Sequence, residues 1–297
     1  VSEFALVDRS RHVTITFRSP YDGTPQQADV HAPEEEPRTP IPLVLAPHPI
    51  GWTAAQDYFG GIEGLKRGVH PGWKGLAHRH GVLIAQPHGH GRMDPLASCA
   101  FEGQIDDMAF LIDALPAYGF PVDRHRVYAC GLSMGGLETV VLLGRYPDRI
   151  TAGFAFNPVV DLAAWHEELS TSPVADIRAY RTWERIAREV GGDPDEIPDA
   201  YHLRSGFAYL EALTRTPLML YWTRFDPVVP RQETHHALRL YREIKSRSAT
   251  SPVAEYEHTL SHGSLPAEDD WEAGWRLHEY ADYDLALCWL LRHRKDL

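Results

Sequence analysis

Arg126-Val127-Tyr128-Ala129-Cys130-Gly131-Leu132-Ser133-Met134-Gly135-Gly136 is the run from which the rest of the chain is read. Residues 127–130 are apolar and short, the composition of a buried strand. They pass into Gly-x-Ser-x-Gly and then into Leu137-Glu138-Thr139-Val140-Val141-Leu142-Leu143, which has the residues of a helix. A strand, a sharp turn and a helix around this motif put the serine at a strained tip with its hydroxyl in the open. Gly131 and Gly135 let strand and helix approach where bulkier side chains would clash. The amide of Met134, first in the helix, points to where an oxyanion would form. Taken alone the motif is also a glycine-rich turn with a capping serine, so the downstream sequence decides.

Downstream, Tyr221-Trp222-Thr223-Arg224-Phe225-Asp226 closes an apolar strand over residues 217–222. Ser261-His262-Gly263 follows a strand-like stretch over 253–258. An Asp just past a strand end and a His beyond the next strand give the order Ser133, Asp226, His262, which is the order of α/β-hydrolases. A serine hydroxyl is too weakly acidic to attack unaided. His262 would take its proton, and Asp226 would hold the imidazole in the right tautomer.

The chain has 297 residues and a formal net charge of -12, which argues against a nucleic-acid partner. Its hydrophobic content of 43% supports a substantial core. No apolar run approaches the ~20 residues that span a bilayer, so no membrane partner is expected. Residues 1–6 lack a basic segment followed by an apolar one, so no signal peptide is expected. Cys99, Cys130 and Cys288 are odd in number and far apart, which fits a reducing compartment and a cytoplasmic protein. Cys130 reads as a small buried hydrophobe.

Taken in order, residues 12–17 alternate as a half-buried strand, 21–25 turn, and 27–31 return. Residues 33–40 form an acidic, proline-rich surface loop. A strand over 41–46 ends in Pro47-His48-Pro49-Ile50-Gly51, a turn placed to supply a second oxyanion donor. Pro49 has no N–H, which leaves Ile50 or Gly51, with Ile50 preferred. Residues 53–75, rich in glycine and aromatic residues, read as an ordered loop near the mouth of a site. A short helix over 73–80 and a strand over 82–86 follow.

His88-Gly89-His90 has chelating spacing, yet no acidic cluster stands near it in sequence, so no metal and no cofactor are expected. It reads instead as a loop packed beside the site. Residues 103–117 form an amphipathic helix, and 152–156 a strand. Residues 157–213 break the alternation and read as a helical cap insertion, with a helix over 177–190. Its Trp165, Tyr180, Trp183, Tyr201 and Phe207 either line a pocket or pack the cap onto the body. After the strand at 217–222 come a helix over 232–245 with His235 and His236 facing solvent, the strand at 253–258, and a terminal helix over 271–294. The expected fold is α/β, with a mostly parallel sheet, helices on both faces, and one domain over 1–297.

Other pieces of the chain resemble the catalytic domain of the prolyl oligopeptidase family. They are Ser19-Pro20-Tyr21-Asp22-Gly23-Thr24, Ile105-Asp106-Asp107-Met108, Val122-Asp123-Arg124-His125-Arg126, Gly192-Asp193-Pro194-Asp195-Glu196, Leu203-Arg204-Ser205, Thr216-Pro217-Leu218 and Asp226-Pro227-Val228-Val229-Pro230. The resemblance runs from about Phe17 to about Leu265. It implies the α/β-hydrolase fold, a serine nucleophile and the acid at Asp226. Where the family often carries His-Gly-Gly-Pro, this chain has His48-Pro49-Ile50-Gly51. The family's peptidases also carry a propeller ahead of the hydrolase, and none is expected within these 297 residues.

The reading is a serine hydrolase that cleaves carboxylic esters, with small amides within reach, through an acyl-enzyme. Its partner is a small ester or a short acyl or peptide substrate. An aminopeptidase or acylaminoacyl peptidase is the first alternative, with Glu63, Glu102 and Glu138 as candidates to hold a free ammonium. An acyltransferase or cyclase, and a silent binding protein on the same fold, complete the set.

Overall fold

The computed structural model describes residues 11–48, 52–53, 56–57, 73, 75–90, 100–174, 178, 181–258 and 281–296. Among these an eight-stranded sheet runs β1-β2-β6-β3-β7-β8-β9-β10. β1 (Arg11–Arg18) and β2 (Pro25–Ala32) form an antiparallel hairpin, and β2 pairs antiparallel with β6 (Leu83–Pro87). From β6 onward, β3 (Ile41–Leu45), β7 (Val122–Leu132), β8 (Ala152–Phe156), β9 (Leu218–Trp222) and β10 (Val253–Glu257) are all parallel. A separate two-stranded ribbon pairs β4 (Trp52–Thr53) with β5 (Gln56–Asp57).

The central strands are apolar on both faces because both faces are covered. Alternate residues go to opposite cores. Leu43 and Leu45 of β3, Val127 and Ala129 of β7, and Leu218, Leu220 and Trp222 of β9 enter one. Val44, Tyr128, Cys130, Leu132, Phe154 and Phe156 enter the other. The first core is covered by α2 (Glu102–Ala114), α3 (Met134–Arg145), α4 (Leu162–Ser170) and α8 (Ala237–Arg247). The second is covered by α1 (Leu76–His80) and α9 (Tyr283–Leu290).

This winding sets where a site can form. The chain leaves β3 toward β6, and leaves β7 in the opposite direction toward β8. Neighbouring strands whose connections diverge leave a crevice at their carboxyl ends. Pro47 and His48 follow β3 there, and Ser133 follows β7.

Between β8 and β9 lie α4, α5 (Thr182–Val190), α6 (Pro198–Leu203), a 3-10 turn (Gly206–Tyr209) and α7 (Leu210–Leu213). This segment packs along α3 through small residues. A Cβ on Gly144 would stand 2.3 Å from Tyr209, and one on Gly206 would stand 2.8 Å from Val140. Trp165 and Tyr201 are buried in the first core, and Trp183 and Phe207 pack against it. Tyr180 lies outside the described residues.

Several sequence expectations are corrected. β7 begins at Val122 rather than 127, because Ile41 pairs with Val122 and the polar residues 123–126 are carried along as strand. Helix α8 begins at Ala237 rather than 232, and α5 begins at Thr182. His236 is fully buried, and His235 is half-buried against Glu168, so neither is simply solvent-facing. The described terminal helix starts at Tyr283, with Asp282 capping it through Leu285 N–H at 2.9 Å. Most of the loop over 53–75 lies outside the described residues.

Candidate active site

Ser133 joins β7 to α3 with φ 58 and ψ -116, a backbone region that a residue with a side chain adopts at a cost of about 1–3 kcal/mol. The surroundings enforce it. Ser133 N–H donates to Phe156 O at 2.9 Å, and Val159 N–H donates to Ser133 O at 3.1 Å. A Cβ on Gly131 would meet Gly135 O at 2.3 Å, and one on Gly135 would meet Pro47 O at 2.4 Å. Both glycines are therefore steric requirements. Gly135 also brings the end of β3 directly against the turn.

The expectation of strain is met, whereas the expectation of an open hydroxyl is not. Ser133 is buried, since Pro47–His48 and Pro158–Val159 pack around the turn. Its Oγ has no hydrogen-bond partner among the described residues. Met134 opens α3, at the end of a helix where amides have no carbonyl of their own helix to bond. Those N–H groups and the helix dipole favour negative charge beside Ser133.

Asp226 is buried in the loop after β9. Its Oδ1 accepts Val228 N–H at 2.8 Å and Val229 N–H at 3.0 Å, which fixes the carboxylate in the loop. The loop is tied down on every side. Thr223 N–H donates to Asn157 Oδ1 at 2.9 Å, and Trp165 Nε1–H donates to Val228 O at 2.9 Å. Gln232 Nε2–H donates to Pro158 O at 3.2 Å. Asn157 itself takes a left-handed φ of 37. His262 and Ile50 lie outside the described residues. β10 leads toward His262, and His258 at its end meets Tyr221 Oη at 2.7 Å.

Sequence reasoning missed Glu168. Its carboxylate is buried between His235 Nδ1 at 2.6 Å and His236 Nε2 at 3.0 Å. A signal was present, since Leu162, Trp165, Glu168 and Leu169 share the buried face of α4. A glutamate on an apolar stripe needs a partner. Of the candidates for holding an ammonium, Glu138 is buried on α3, Glu102 is 3.9 Å from Arg145, and Glu63 lies outside the described residues.

The histidines of the loop after β6 are held by carboxylates. His88 Nε2 meets Asp29 Oδ2 at 3.0 Å, and His90 sits between Asp107 at 2.7 Å and Asp22 at 3.2 Å. Among the described residues, His80, Asp284 and Cys288 are the group with ligand atoms close enough to share a metal ion. Arg79 already stands 3.1 Å from the Asp284 oxygen that His80 uses, so a cation there would compete with a guanidinium. Burial pushes the Cys130 thiol well up, so it behaves as the inert core residue expected. No helix among the described residues is long and apolar enough to cross a membrane.

The comparisons with known proteins agree with this geometry. Feruloyl esterase B of Thermothelomyces thermophilus is 24% identical over 237 residues, covering 77% of this chain and 73% of that protein. The acylaminoacyl peptidase of Pyrococcus horikoshii superposes with a TM-score of 0.66 at 18% identity, over 97% of this chain. This chain spans only 42% of that peptidase's length. An S-formylglutathione hydrolase from Agrobacterium tumefaciens gives a TM-score of 0.62 at 15% identity, over 97% of both chains. The sequence profile of the prolyl oligopeptidase family matches residues 100–280, more than half of the chain and the part that holds the serine turn, the Asp226 loop and the strand beyond it. With that match added to the strained serine turn, the chain belongs to the prolyl oligopeptidase family and is a serine hydrolase.

Proposed function

We propose that the protein cleaves carboxylic esters through an acyl-enzyme formed on Ser133. Ser133 Oγ attacks the carbonyl carbon as its proton passes to His262. The oxyanion is held by the amides of Met134 and Ile50. His262 then gives the proton to the leaving alkoxide, and water repeats the cycle in reverse to free the acid. Asp226 orients the imidazole and stabilises its cation, its carboxylate held in place by the Val228 and Val229 amides. The backbone of Ser133 is the observation that carries this reading: nothing in packing alone calls for a serine at φ 58 between two glycines that have no room for a side chain. The feruloyl esterase relative supports an ester, and so does the match to the S-formylglutathione hydrolase over 97% of both chains.

A peptidase reading has its own support, in the acylaminoacyl peptidase fold match. Comparing p-nitrophenyl esters with aminoacyl anilides separates the two. Ester turnover at least tenfold faster supports the first reading, and faster anilide turnover supports the second. In the same proposal the chain is one hydrolase domain over 1–297, residues 157–213 are its cap, and three scattered cysteines support a cytoplasmic location.

A further inference from the structure

At the end of the loop that carries Asp226, His235 and His236 form an ionisable cluster with the buried Glu168 of α4. We propose that Glu168 is a positioning residue for Asp226, acting through His236 to hold the acid loop in register with Ser133. The proposal rests on the reading of Asp226 as the acid of the triad.

The Glu168 side chain is 2% exposed and the His236 side chain 0%. His236 Nδ1 accepts Val160 N–H at 3.2 Å and Asp161 N–H at 3.4 Å. A ring nitrogen that accepts carries no proton, so the proton sits on Nε2 and is donated to Glu168 Oε2 at 3.0 Å. The backbone of the segment before α4 thus fixes the tautomer, and the carboxylate on α4 receives the other end. Glu168 Oε1 meets His235 Nδ1 at 2.6 Å, so each carboxylate oxygen has a partner.

The same short segment grips the loop at further points. Trp165, one turn before Glu168 on the same face of α4, donates to Val228 O. Gln232 Nε2–H donates to Pro158 O and to Val229 O at 3.3 Å, while its Oε1 accepts Ala237 N–H at 3.3 Å. Val228 and Val229 are the residues whose amides hold Asp226 Oδ1. At its other end the segment bonds to the nucleophile, through Phe156 O and Val159 N–H. Residues 156–168 therefore form the bracket that fixes Ser133 and Asp226 relative to each other.

Removing the carboxylate leaves a buried Nε2–H without an acceptor, and the ring cannot turn over without losing the Val160 and Asp161 amides. The loop must shift, and Oδ2 of Asp226 shifts with it. Glutamine keeps an acceptor for Nε2–H, and so conserves the link.

The test compares Glu168→Ala, Glu168→Gln and Asp226→Asn in the full chain. It reads kcat and KM on p-nitrophenyl acetate, the pH profile of kcat/KM, and thermal melting. Glu168→Ala is expected to lower kcat by roughly 10–100-fold with KM little changed, the scale on which a small misplacement acts. Its acid limb is expected to move to lower pH, in the same direction as in Asp226→Asn, because an imidazole with weakened carboxylate support binds its proton less tightly. Glu168→Gln should restore most of kcat. Should Glu168→Ala not fold, His236→Asn keeps an acceptor for the Val160 amide but cannot reach Glu168, and the same loss is expected. A shifted limb in Asp226→Asn, with wild-type kcat and limb in the folded Glu168→Ala or His236→Asn protein, overturns the proposal and leaves the cluster as packing. A wild-type profile in Asp226→Asn overturns the reading of the acid itself.

Discussion

The turn at Ser133 and the loop at Asp226 lie at the same edge of the sheet, yet one is held by main-chain atoms and the other by side chains. The serine turn is held by main chain: Phe156 O, Val159 N–H, and two glycines at which an added Cβ would stand 2.3 and 2.4 Å from backbone oxygens. The Asp226 loop is held by side chains, those of Asn157, Trp165, Gln232 and His236, with Glu168 behind them. A backbone-held turn tolerates no added carbon. A loop held by side chains tolerates an exchange that keeps the hydrogen bond. The difference predicts which substitutions are fatal and which are graded.

The largest effect is expected at the turn. Gly135→Ala places a Cβ 2.4 Å from Pro47 O, a main-chain atom with nowhere to go. It should cost about 3 kcal/mol or more of stability and remove ester turnover, as thermal melting and p-nitrophenyl acetate assays would show. A fully active Gly135→Ala enzyme would break the comparison at its firmer end.

An intermediate effect is expected in the loop. Trp165→Phe keeps the ring packing but leaves Val228 O buried without its donor. Chemical denaturation should show a loss of about 1–3 kcal/mol, and kcat should fall less than in the Gly135 variant. No loss of stability would mean that the loop does not lean on side chains.

The smallest effect on catalysis is expected at the far edge of the sheet. Burial alone would raise the Asp29 carboxyl, but hydrogen bonds from His88 and Thr14 and the charges of His88 and His12 outweigh it and hold it at about 2. A folded value below the unfolded one stabilises the protein above the usual carboxylate range, and that stability is lost as pH falls from about 4 to about 2. The shift is worth about 2 kcal/mol. Asp29→Asn should flatten the melting-temperature profile across that window and leave kcat at neutral pH unchanged. A change in kcat would show that the hairpin edge is coupled to the site.

The same contrast explains what could be read from the sequence. Gly131, Ser133 and Gly135 are legible because a backbone constraint leaves residue types at fixed offsets. The central strands are legible because strands covered on both faces are continuous apolar runs. The start of β7 was not, because residues 123–126 are polar and lie in a register shift between Val122 and Val127, the residues that pair with β3 on either side of them. His235-His236 read as a polar surface pair, since the partner that buries them is Glu168, far away in sequence. The signal was the stripe His236, Leu240, Ile244, which repeats at helical spacing and is buried throughout. A polar residue on an apolar stripe marks a buried partner without naming it.

The central claim is that Ser133 is the nucleophile. A fluorophosphonate probe, followed by mass mapping of the labelled peptide, tests it most directly. The account predicts one label per chain on Ser133 and none in a folded Ser133→Ala protein. Equal labelling of Ser133→Ala, or a label mapped to another residue, would contradict it.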